Sequence, residues 1–165
     1  MLVCQLDKIS FYEIQENGEY KYHPLMMEGS FSSISFENTT RTLLVTSRPN
    51  NKQASVRHMI YEMTSNTSFD ETSYSLSLIQ TYIGAPVQKL LSRSKLFYFN
   101  SQLYGCAPDE PSKSALVWDV NKNETISKLA STGDIIDVCP IQYNNASYIS
   151  TLTEKQLRVY KRSDT

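Results

Sequence analysis

Apolar and polar residues alternate in short runs along most of this chain, and stretches rich in Asn, Gly, Pro and Ser separate the runs. Alternation over roughly four to eight residues is the period of a half-buried strand, whereas an amphipathic helix places its apolar residues three and four apart. The runs predict strands at 2–6, 9–14, 19–27, 31–36, 42–47, 55–63, 74–83, 87–91 with an extension towards 99, 102–106, 114–120, 125–129, 135–141, 148–152 and 157–161. The pattern therefore predicts an all-β protein of antiparallel strands.

A four-residue pattern recurs at the end of four of these strands: an apolar residue, an aromatic, a polar or charged residue and usually a second apolar one. It occurs as VWDV at 117–120, FYEI at 11–14, IYEM at 60–63 and VYKR at 159–162. The aromatics Tyr12, Tyr61, Trp118 and Tyr160 are 42 to 57 residues apart, the spacing of propeller blades. A Trp118–Asp119 pair that closes a strand is typical of a WD-repeat blade, so we expect these five residues to mark structural repeats. The alternative is chance recurrence in a chain with 11 tyrosines.

The repeats divide the chain into a partial blade at 1–27, blades at 28–83 and 84–131, and a partial blade at 132–165. At about 45 residues per blade, 165 residues supply fewer than the roughly four to eight blades of a closed propeller. The predicted ring is therefore incomplete, with about three to four blades. A partial ring would leave unpaired strand edges at both ends, and because such edges can pair with another chain we expect self-association.

Two kinds of loop are predicted between the strands. Residues 64–73 are the most polar stretch and are predicted as an exposed loop, since their composition cannot bury apolar area. The loops at 49–53, 107–113 and 143–146 are predicted to project from the face of the ring, where rigid scaffolds contact partners. The candidate partner-binding residues in these loops are Pro49, Asn50, Lys52, Asp109, Glu110, Lys113, Asn144 and Asn145.

Patterns for catalysis and metal binding are absent from the sequence. It has no nucleophile spaced with a base, no paired carboxylates at a useful separation and no glycine-rich phosphate loop. The two histidines, His23 and His58, lie in predicted strands and are expected to be packed or surface imidazoles. Cys4, Cys106 and Cys139 are spread singly without CxxC spacing, which predicts buried free thiols rather than a zinc site. No catalytic residue, metal or cofactor is therefore predicted.

Charge and hydropathy argue against two classes of partner. The 16 basic and 17 acidic residues give a formal net charge of −1, so the sequence lacks the basic surface of a dedicated nucleic-acid binder. The sequence contains no run of about eighteen apolar residues, the length needed to cross a membrane. Its first residues lack the features of a signal peptide. We expect no direct nucleic-acid binding and no membrane insertion, which leaves proteins as the expected partners.

Six strings, in the same order along nearly the whole chain, resemble the C-terminal part of the RING finger and WD repeat domain-containing E3 ubiquitin ligases of the DNA-damage response. They are FENTTR at 36–41, LVTSRP at 44–49, KLL at 89–91, SALVWD at 114–119, DVCP at 137–140 and TLTEK at 151–155. The strings are short singly, and their shared order makes the resemblance specific.

The resemblance implies a ligase with a RING near its N-terminus, a coiled coil and a C-terminal WD-repeat propeller. In that family the RING recruits a charged E2, and the propeller recruits replication protein A on single-stranded DNA at stalled forks and interstrand crosslinks. Ubiquitin is then transferred to replication protein A and to recombination factors. The implied role is partner recognition for a ubiquitin ligase in DNA repair, in a nuclear protein that can also occur in the cytoplasm.

Two departures from the family's pattern limit what carries over. These 165 residues contain no RING, so ubiquitin transfer would not be an activity of this segment and no catalytic residue carries over. The Gly-His step that begins many WD repeats is replaced by Gly84-Ala85 and Gly133-Asp134. The usual buried hydrogen-bond relay from His to Trp therefore cannot form in those blades.

Two other functions remain as alternatives. A generic WD-repeat scaffold without a ubiquitin connection fits the same repeat pattern. A glycosidase-type propeller would need carboxylates and arginines clustered around a central pocket. The predicted inner strands at 31–36, 87–91 and 135–141 carry only Ser, Lys, Gln and Asp among their apolar residues, which argues against the enzyme.

Overall fold

The computed structural model of the chain describes residues 2–4, 8–47, 54–68, 71–86, 93–144 and 146–161. Within these ranges the chain forms fourteen β-strands and no helix, which confirms the all-β prediction. The strands are β1 (Leu2–Cys4), β2 (Lys8–Ile14), β3 (Tyr20–Glu28), β4 (Phe31–Glu37), β5 (Thr42–Ser47), β6 (Ser55–Ser68), β7 (Glu71–Pro86), β8 (Lys95–Phe99), β9 (Gln102–Asp109), β10 (Ser114–Asp119), β11 (Glu124–Ala130), β12 (Asp137–Tyr143), β13 (Ala146–Leu152) and β14 (Leu157–Lys161). In the described part of the chain, no helix is long and apolar enough to span a membrane.

The strands form four antiparallel sheets, and in each sheet neighbouring strands are consecutive in the chain. The first sheet contains β1 to β3, the second β4 to β7, the third β8 to β11 and the fourth β12 to β14. The first and last strand residues of the four sheets are 2 and 28, 31 and 86, 95 and 130, and 137 and 161. The corresponding predicted units are 1–27, 28–83, 84–131 and 132–165. Each sheet is thus a meander built from adjacent hairpins.

Short turns with positive φ angles reverse the chain between strands. Between β2 and β3, Gly18 has a φ of 83°, and the side-chain oxygen of Asn17 accepts a hydrogen bond from Glu19 N at 2.9 Å. Between β8 and β9, Asn100 and Ser101 have φ angles of 48° and 60°. Two successive positive φ angles give a turn whose twist matches that of the flanking strands. Local turn chemistry therefore keeps each strand beside its predecessor.

Three apolar clusters pack consecutive sheets face to face. Ile9, Phe31, Leu43 and Val45 lie between the first and second sheets. Leu44, Ile60, Leu96, Leu103, Ala107, Trp118 and Val120 lie between the second and third sheets. Phe97, Phe99, Tyr104, Cys106, Ala115, Val117, Ile135, Val138 and Ile149 lie between the third and fourth sheets. Because alternate side chains of a strand point to opposite faces, a middle sheet is buried on both sides, and β5 is an apolar run rather than an alternating one.

Side-chain hydrogen bonds join the first strands of the second and third sheets. Ser94 N donates to Ser33 Oγ at 3.1 Å, and Leu96 N donates to Ser35 Oγ at 2.9 Å. Strand β8 also contacts β12. The first strands β4, β8 and β12 thus lie side by side, as inner strands of propeller blades do.

The polar stretch predicted as a loop at 64–73 is exposed at 64–68, but its prediction as a loop is wrong at 64–68 and 71–73, which are strand. β6 continues to Ser68 and β7 begins at Glu71, so the two strands extend beyond the sheet as a two-stranded ribbon. Hydroxyl pairs link the ribbon across the strands, with Thr64 Oγ1 2.7 Å from Ser75 Oγ. Backbone pairing satisfies the polar main chain without apolar burial, and threonine suits a strand because it is β-branched.

The inner strand predicted at 87–91 lies outside the described residues, and β8 at Lys95–Phe99 occupies its predicted extension. The predicted strand at 135–141 begins and ends later, as β12 at Asp137–Tyr143. On β12, Val138 points into the third cluster, so its neighbour Cys139 points out and is exposed, contrary to the prediction. Cys106 is a buried free thiol as predicted, and burial raises its pKa.

Candidate functional site

The indole of Trp118 lies at the interface between the second and third sheets. It is fully buried in β10 and stacks on Tyr82, with 4.6 Å between the ring centroids and 7° between the planes. The ring of His58 lies 5.3 Å from the indole. No hydrogen-bond partner of Trp118 Nε1 occurs among the described residues. Trp118 therefore connects two sheets by aromatic packing, because Tyr82 and His58 both belong to the second sheet.

His58 is the buried polar centre of the same interface. Its Nδ1 lies 3.3 Å from Thr46 Oγ1, which also hydrogen-bonds Ser94 Oγ. Burial lowers the pKa of His58 to about 4, because the charged imidazolium would lose its hydration. The side chain is thus a neutral packed imidazole at physiological pH.

Asp119 organises the turn after β10. Its Oδ1 accepts hydrogen bonds from Asn121 N at 2.9 Å and from Lys122 N at 3.1 Å, and its Oδ2 accepts one from Gln102 Nε2. Asp119 is buried, so these bonds replace the water that its carboxylate loses. Its observed contacts are structural ones that hold the β10–β11 turn against β9.

The other three aromatics of the repeat pattern lie on corresponding sides of their sheets. Tyr61 packs against the cluster between the first and second sheets. Tyr160 donates its hydroxyl to Ala130 O of the third sheet at 2.6 Å. Trp118 likewise points to the sheet that precedes its own. Tyr12 packs on Tyr22, and this pair lies on the face of the first sheet opposite to Phe11, which packs on Tyr74 of the second sheet. The four positions are equivalent in orientation, and Trp118 alone of the four is fully buried.

Half of the predicted partner-binding residues have no described position. Pro49, Asn50, Lys52 and Asn145 all lie outside the described residues. The structure places the other four, Asp109, Glu110, Lys113 and Asn144.

The predicted loop at 107–113 is shorter than expected. β9 runs to Asp109, and a four-residue turn, closed by a hydrogen bond from Lys113 N to Glu110 O at 3.2 Å, leads into β10. Pro108 lies opposite Ala115 of β10, and because β8 pairs with β9 only as far as Cys106, no strand pairs with Pro108 on its other side. Asp109 is buried and accepts a hydrogen bond from Ser112 Oγ. Its expected position on a projecting loop is therefore wrong, while Lys113 is exposed.

Asn144 and the turn at 110–113 lie at opposite ends of the sheets. Gln142 Nε2, near the end of β12, donates to Tyr98 O near the end of β8, so Asn144 lies beside the β8–β9 turn. A cleft of about 550 Å³ opens there. β9 starts at this turn and runs to the far end of the third sheet, where 110–113 begins. The predicted residues that the structure describes therefore do not lie at one end of the sheets.

A second cleft, of about 540 Å³, opens between the first and second sheets and was not predicted. It is lined by Phe11, Ile34, Phe36, Asn38, Arg41, Met63, Ser65 and Tyr74. At its back, His23 packs edge-on against Tyr74 with 4.8 Å between centroids, and His23 Nε2 lies 2.9 Å from Glu13 Oε2. Burial and then the charge of Glu13 raise the pKa of Tyr74. We call this space the Arg41 cleft.

Sequence reasoning missed the Arg41 cleft because its lining comes from β2, β4, β6, β7 and the β4–β5 turn. No local pattern joins positions as distant as 11 and 74. A partial signal was present, since the string at 36–41 contributes three of the lining residues, Phe36, Asn38 and Arg41.

Within the described ranges, no group of three or more His, Cys, Asp and Glu side chains is placed to hold a metal ion. Among the features that could contact another molecule are these two clefts, a third cleft of about 450 Å³ between the third and fourth sheets, and the exposed turns. The polar groups that line the Arg41 cleft and the cleft beside Asn144 are amides, hydroxyls and one guanidinium, which can hydrogen-bond a ligand.

Comparison with known proteins matches one domain over almost the whole chain. A family model described as the E3 ubiquitin-protein ligase RFWD3 WD40 domain matches residues 1–161. The chain is 34% identical over 166 residues to E3 ubiquitin-protein ligase RFWD3 of Mus musculus, 32% over 166 residues to that of Ailuropoda melanoleuca and 31% over 168 residues to that of Homo sapiens. Each alignment covers 98% of this chain and 21 or 22% of the relative, so the chain spans about a fifth of the length of these relatives.

Proposed function

The chain belongs to the family of RFWD3 WD40 domains, and from that membership we propose that it is a protein-recognition module of an RFWD3-like E3 ubiquitin ligase. The family match over residues 1–161 carries the proposal. The four sheets supply a scaffold whose buried clusters hold the turns and clefts in place. Rigid elements that present loops are suited to binding other proteins.

We further propose replication protein A as the bound partner, in the repair of damaged DNA and of interstrand crosslinks in the nucleus, with a fraction of the protein in the cytoplasm. The resemblance noted in the sequence supports this partner. The formal net charge of −1 supports recognition of a protein rather than of the DNA backbone. Ubiquitin transfer is assigned to a RING, which these 165 residues do not contain.

Two groups of residues are candidate contacts for this partner, with Lys113 and Asn144 exposed and Glu110 half-buried. Glu110 and Lys113 lie at one end of the third sheet, and Asn144 lies at the other end of the neighbouring fourth sheet. Because one partner domain binds a continuous surface, substitutions at the two ends are expected to differ in effect.

The test is biolayer interferometry of purified replication protein A on the immobilised 165-residue chain. We expect binding by the wild type, and at least about tenfold weaker binding by either Glu110→Lys/Lys113→Glu or Asn144→Lys. Thermal melts of each variant separate lost contacts from lost folding. No binding by the wild type would contradict replication protein A as the partner and favour a generic scaffold. Equal binding by all folded variants would contradict the placement of the contacts.

Self-association is proposed through the edge of the fourth sheet. Among the described strands, β14 pairs only with β13, and its Leu157 and Val159 side chains are 67% and 57% exposed. An edge strand with exposed apolar side chains can pair with a second chain. Light scattering after size-exclusion chromatography is expected to give a mass that rises with concentration, and Val159→Lys is expected to keep the chain monomeric. A concentration-independent monomer mass for the wild type would contradict this.

A further inference from the structure

The Arg41 cleft combines an apolar floor with one charged side chain. Phe11, Ile34, Phe36 and Met63 supply the apolar lining, and Arg41 is the charged residue of the lining. Its volume of about 540 Å³ is within the range of ligand-binding sites, roughly 300 to 1,000 Å³.

Arg41 is held in position over this cleft. Its φ of 51° is a left-handed conformation, fixed in part by a hydrogen bond from Met63 N to Arg41 O at 2.9 Å. Its Nη1 donates to Ser65 Oγ at 3.1 Å. A hydroxyl orients the guanidinium but does not neutralise it, and no ion pair of Arg41 occurs among the described residues.

Two acids near the cleft are held by other partners. Glu37 accepts hydrogen bonds from Thr39 N at 3.1 Å and from both Thr40 N and Thr40 Oγ1 at 2.8 Å. Partial burial alone would raise the pKa of Glu37, but these hydrogen bonds outweigh it and hold the pKa below its usual range. Glu13 contacts His23 at 2.9 Å. Either carboxylate would lose these contacts if it moved to Arg41.

We propose that the Arg41 cleft binds an extended segment of a partner protein in which a large apolar side chain is adjacent to a carboxylate. The apolar side chain would occupy the space between Phe11, Phe36 and Met63, and the carboxylate would pair with Arg41. Arginine is suited to this because its planar donors match the two carboxylate oxygens. The inference rests on the proposed recognition function and deepens it by assigning a site and the chemistry of its ligand.

Charge complementarity favours an acidic peptide over other occupants. A nucleic-acid backbone would need several cations along the groove, whereas the lining offers one cation and an apolar floor. A single buried aromatic or aliphatic anchor beside one charged pair is a common arrangement in protein recognition.

The binding test uses fluorescence anisotropy with three fluorescein-labelled short peptides. One carries a single phenylalanine flanked by aspartates, the second has asparagines in place of the aspartates, and the third has serine in place of the phenylalanine. We expect the wild-type chain to bind the first peptide at least about tenfold more tightly than either control. Equal binding of all three peptides would overturn the proposal.

Protein variants locate the binding. Arg41→Gln is expected to abolish the preference for aspartate, and Phe36→Ser the preference for phenylalanine. Arg57→Gln is the matched control, because Arg57 is exposed on β6 and does not line the cleft. Thermal melts identify any variant that fails to fold. An Arg41→Gln variant that folds and keeps the aspartate preference would overturn the assignment.

Capture of replication protein A on the same chains separates this inference from the proposed partner. A wild-type chain that prefers the acidic peptide without capturing replication protein A would support the cleft and contradict the partner. Capture of replication protein A without any peptide preference would overturn the cleft inference alone.

Discussion

Gly105 lies directly against the indole of Trp118, its cross-strand partner in the third sheet. A Cβ atom on Gly105 would lie 2.1 Å from Cζ2 and 2.2 Å from Cε2 of the indole. Real atoms cannot approach so closely, so the indole occupies the space that any other residue would need. The absence of a side chain at 105 lets Trp118 lie between its own sheet and Tyr82.

Gly105→Ala is expected to destabilise the chain by about 3 kcal/mol, because the methyl group must displace a fully buried ring in a packed interface. Urea unfolding followed by tryptophan fluorescence measures the change. Gly133→Ala is the matched control, since the nearest atom to an added Cβ there, Thr153 Cβ, is 4.0 Å away. Equal losses in the two variants would contradict the steric explanation.

The stability of the chain is expected to depend on His58 between about pH 6.5 and pH 4. The folded-state pKa of about 4 is below the model-peptide value of 6.5, so the unfolded chain binds more protons in this window. The stabilisation is complete above pH 6.5 and is lost as the pH falls, by roughly 3 kcal/mol. His58→Gln removes this contribution.

The measurement is the free energy of unfolding of wild type and His58→Gln at a series of pH values. The difference between the two should change across the window, whatever the carboxylates contribute to both. His23→Gln serves as the comparison, because His58 is unchanged in it. A constant difference between wild type and His58→Gln would show that His58 is not neutral and buried.

Asp119→Ala is expected to cost about 2 kcal/mol, because two backbone N–H groups, of Asn121 and Lys122, lose their charged acceptor. Asp119→Asn should cost less, since its side-chain oxygen can still accept from both. Urea melts rank the three proteins. If both substitutions cost the same, the carboxylate's negative charge, rather than the turn hydrogen bonds, is the stabilising feature.

Tyr160→Phe is expected to destabilise the chain by about 1 kcal/mol, because Ala130 O loses its hydrogen bond from the Tyr160 hydroxyl. Since this bond joins the fourth sheet to the third, amide exchange should increase first in β14. Tyr143→Phe is the control, with a side chain that is 66% exposed. Unchanged exchange in β14 would contradict a role in holding the sheets together.

The alternation of apolar and polar positions was sufficient to predict most strands, because each hairpin is local. The predicted strands at 42–47 and 157–161 coincide with β5 and β14. The prediction was wrong where hydrogen bonding to a neighbouring strand, rather than amino-acid composition, determines the secondary structure. The ribbon formed by the end of β6 and the start of β7 is polar. It forms because these two segments continue the backbone ladder of the second sheet.

The candidate site was harder to predict than the fold, because tertiary packing creates it. The register shifts at Ile60/Tyr61 and at Val117/Trp118 show a similar limit. Each shift places one extra residue in the strand that pairs with a repeat aromatic and changes the direction of that strand. The sequence spacing of the aromatics does not reveal such a shift. The sequence predicts a loop at 107–113, but Pro108 lies in β9, opposite Ala115 of β10 and beyond the part of β9 that pairs with β8.

The serine hydroxyls at 33 and 35 affect how the chain meets other proteins. They accept from the N–H groups of Ser94 and Leu96, at the margin of the third sheet where no further strand follows β8 in the described sheet. An open margin of unpaired amides is a template on which a foreign strand can add and start a fibre. The second sheet thus covers the inner edge of the third sheet by side-chain hydrogen bonds, while the two sheets keep separate backbone ladders. Aggregation at this edge is therefore disfavoured, although the two sheets do not join into one continuous sheet.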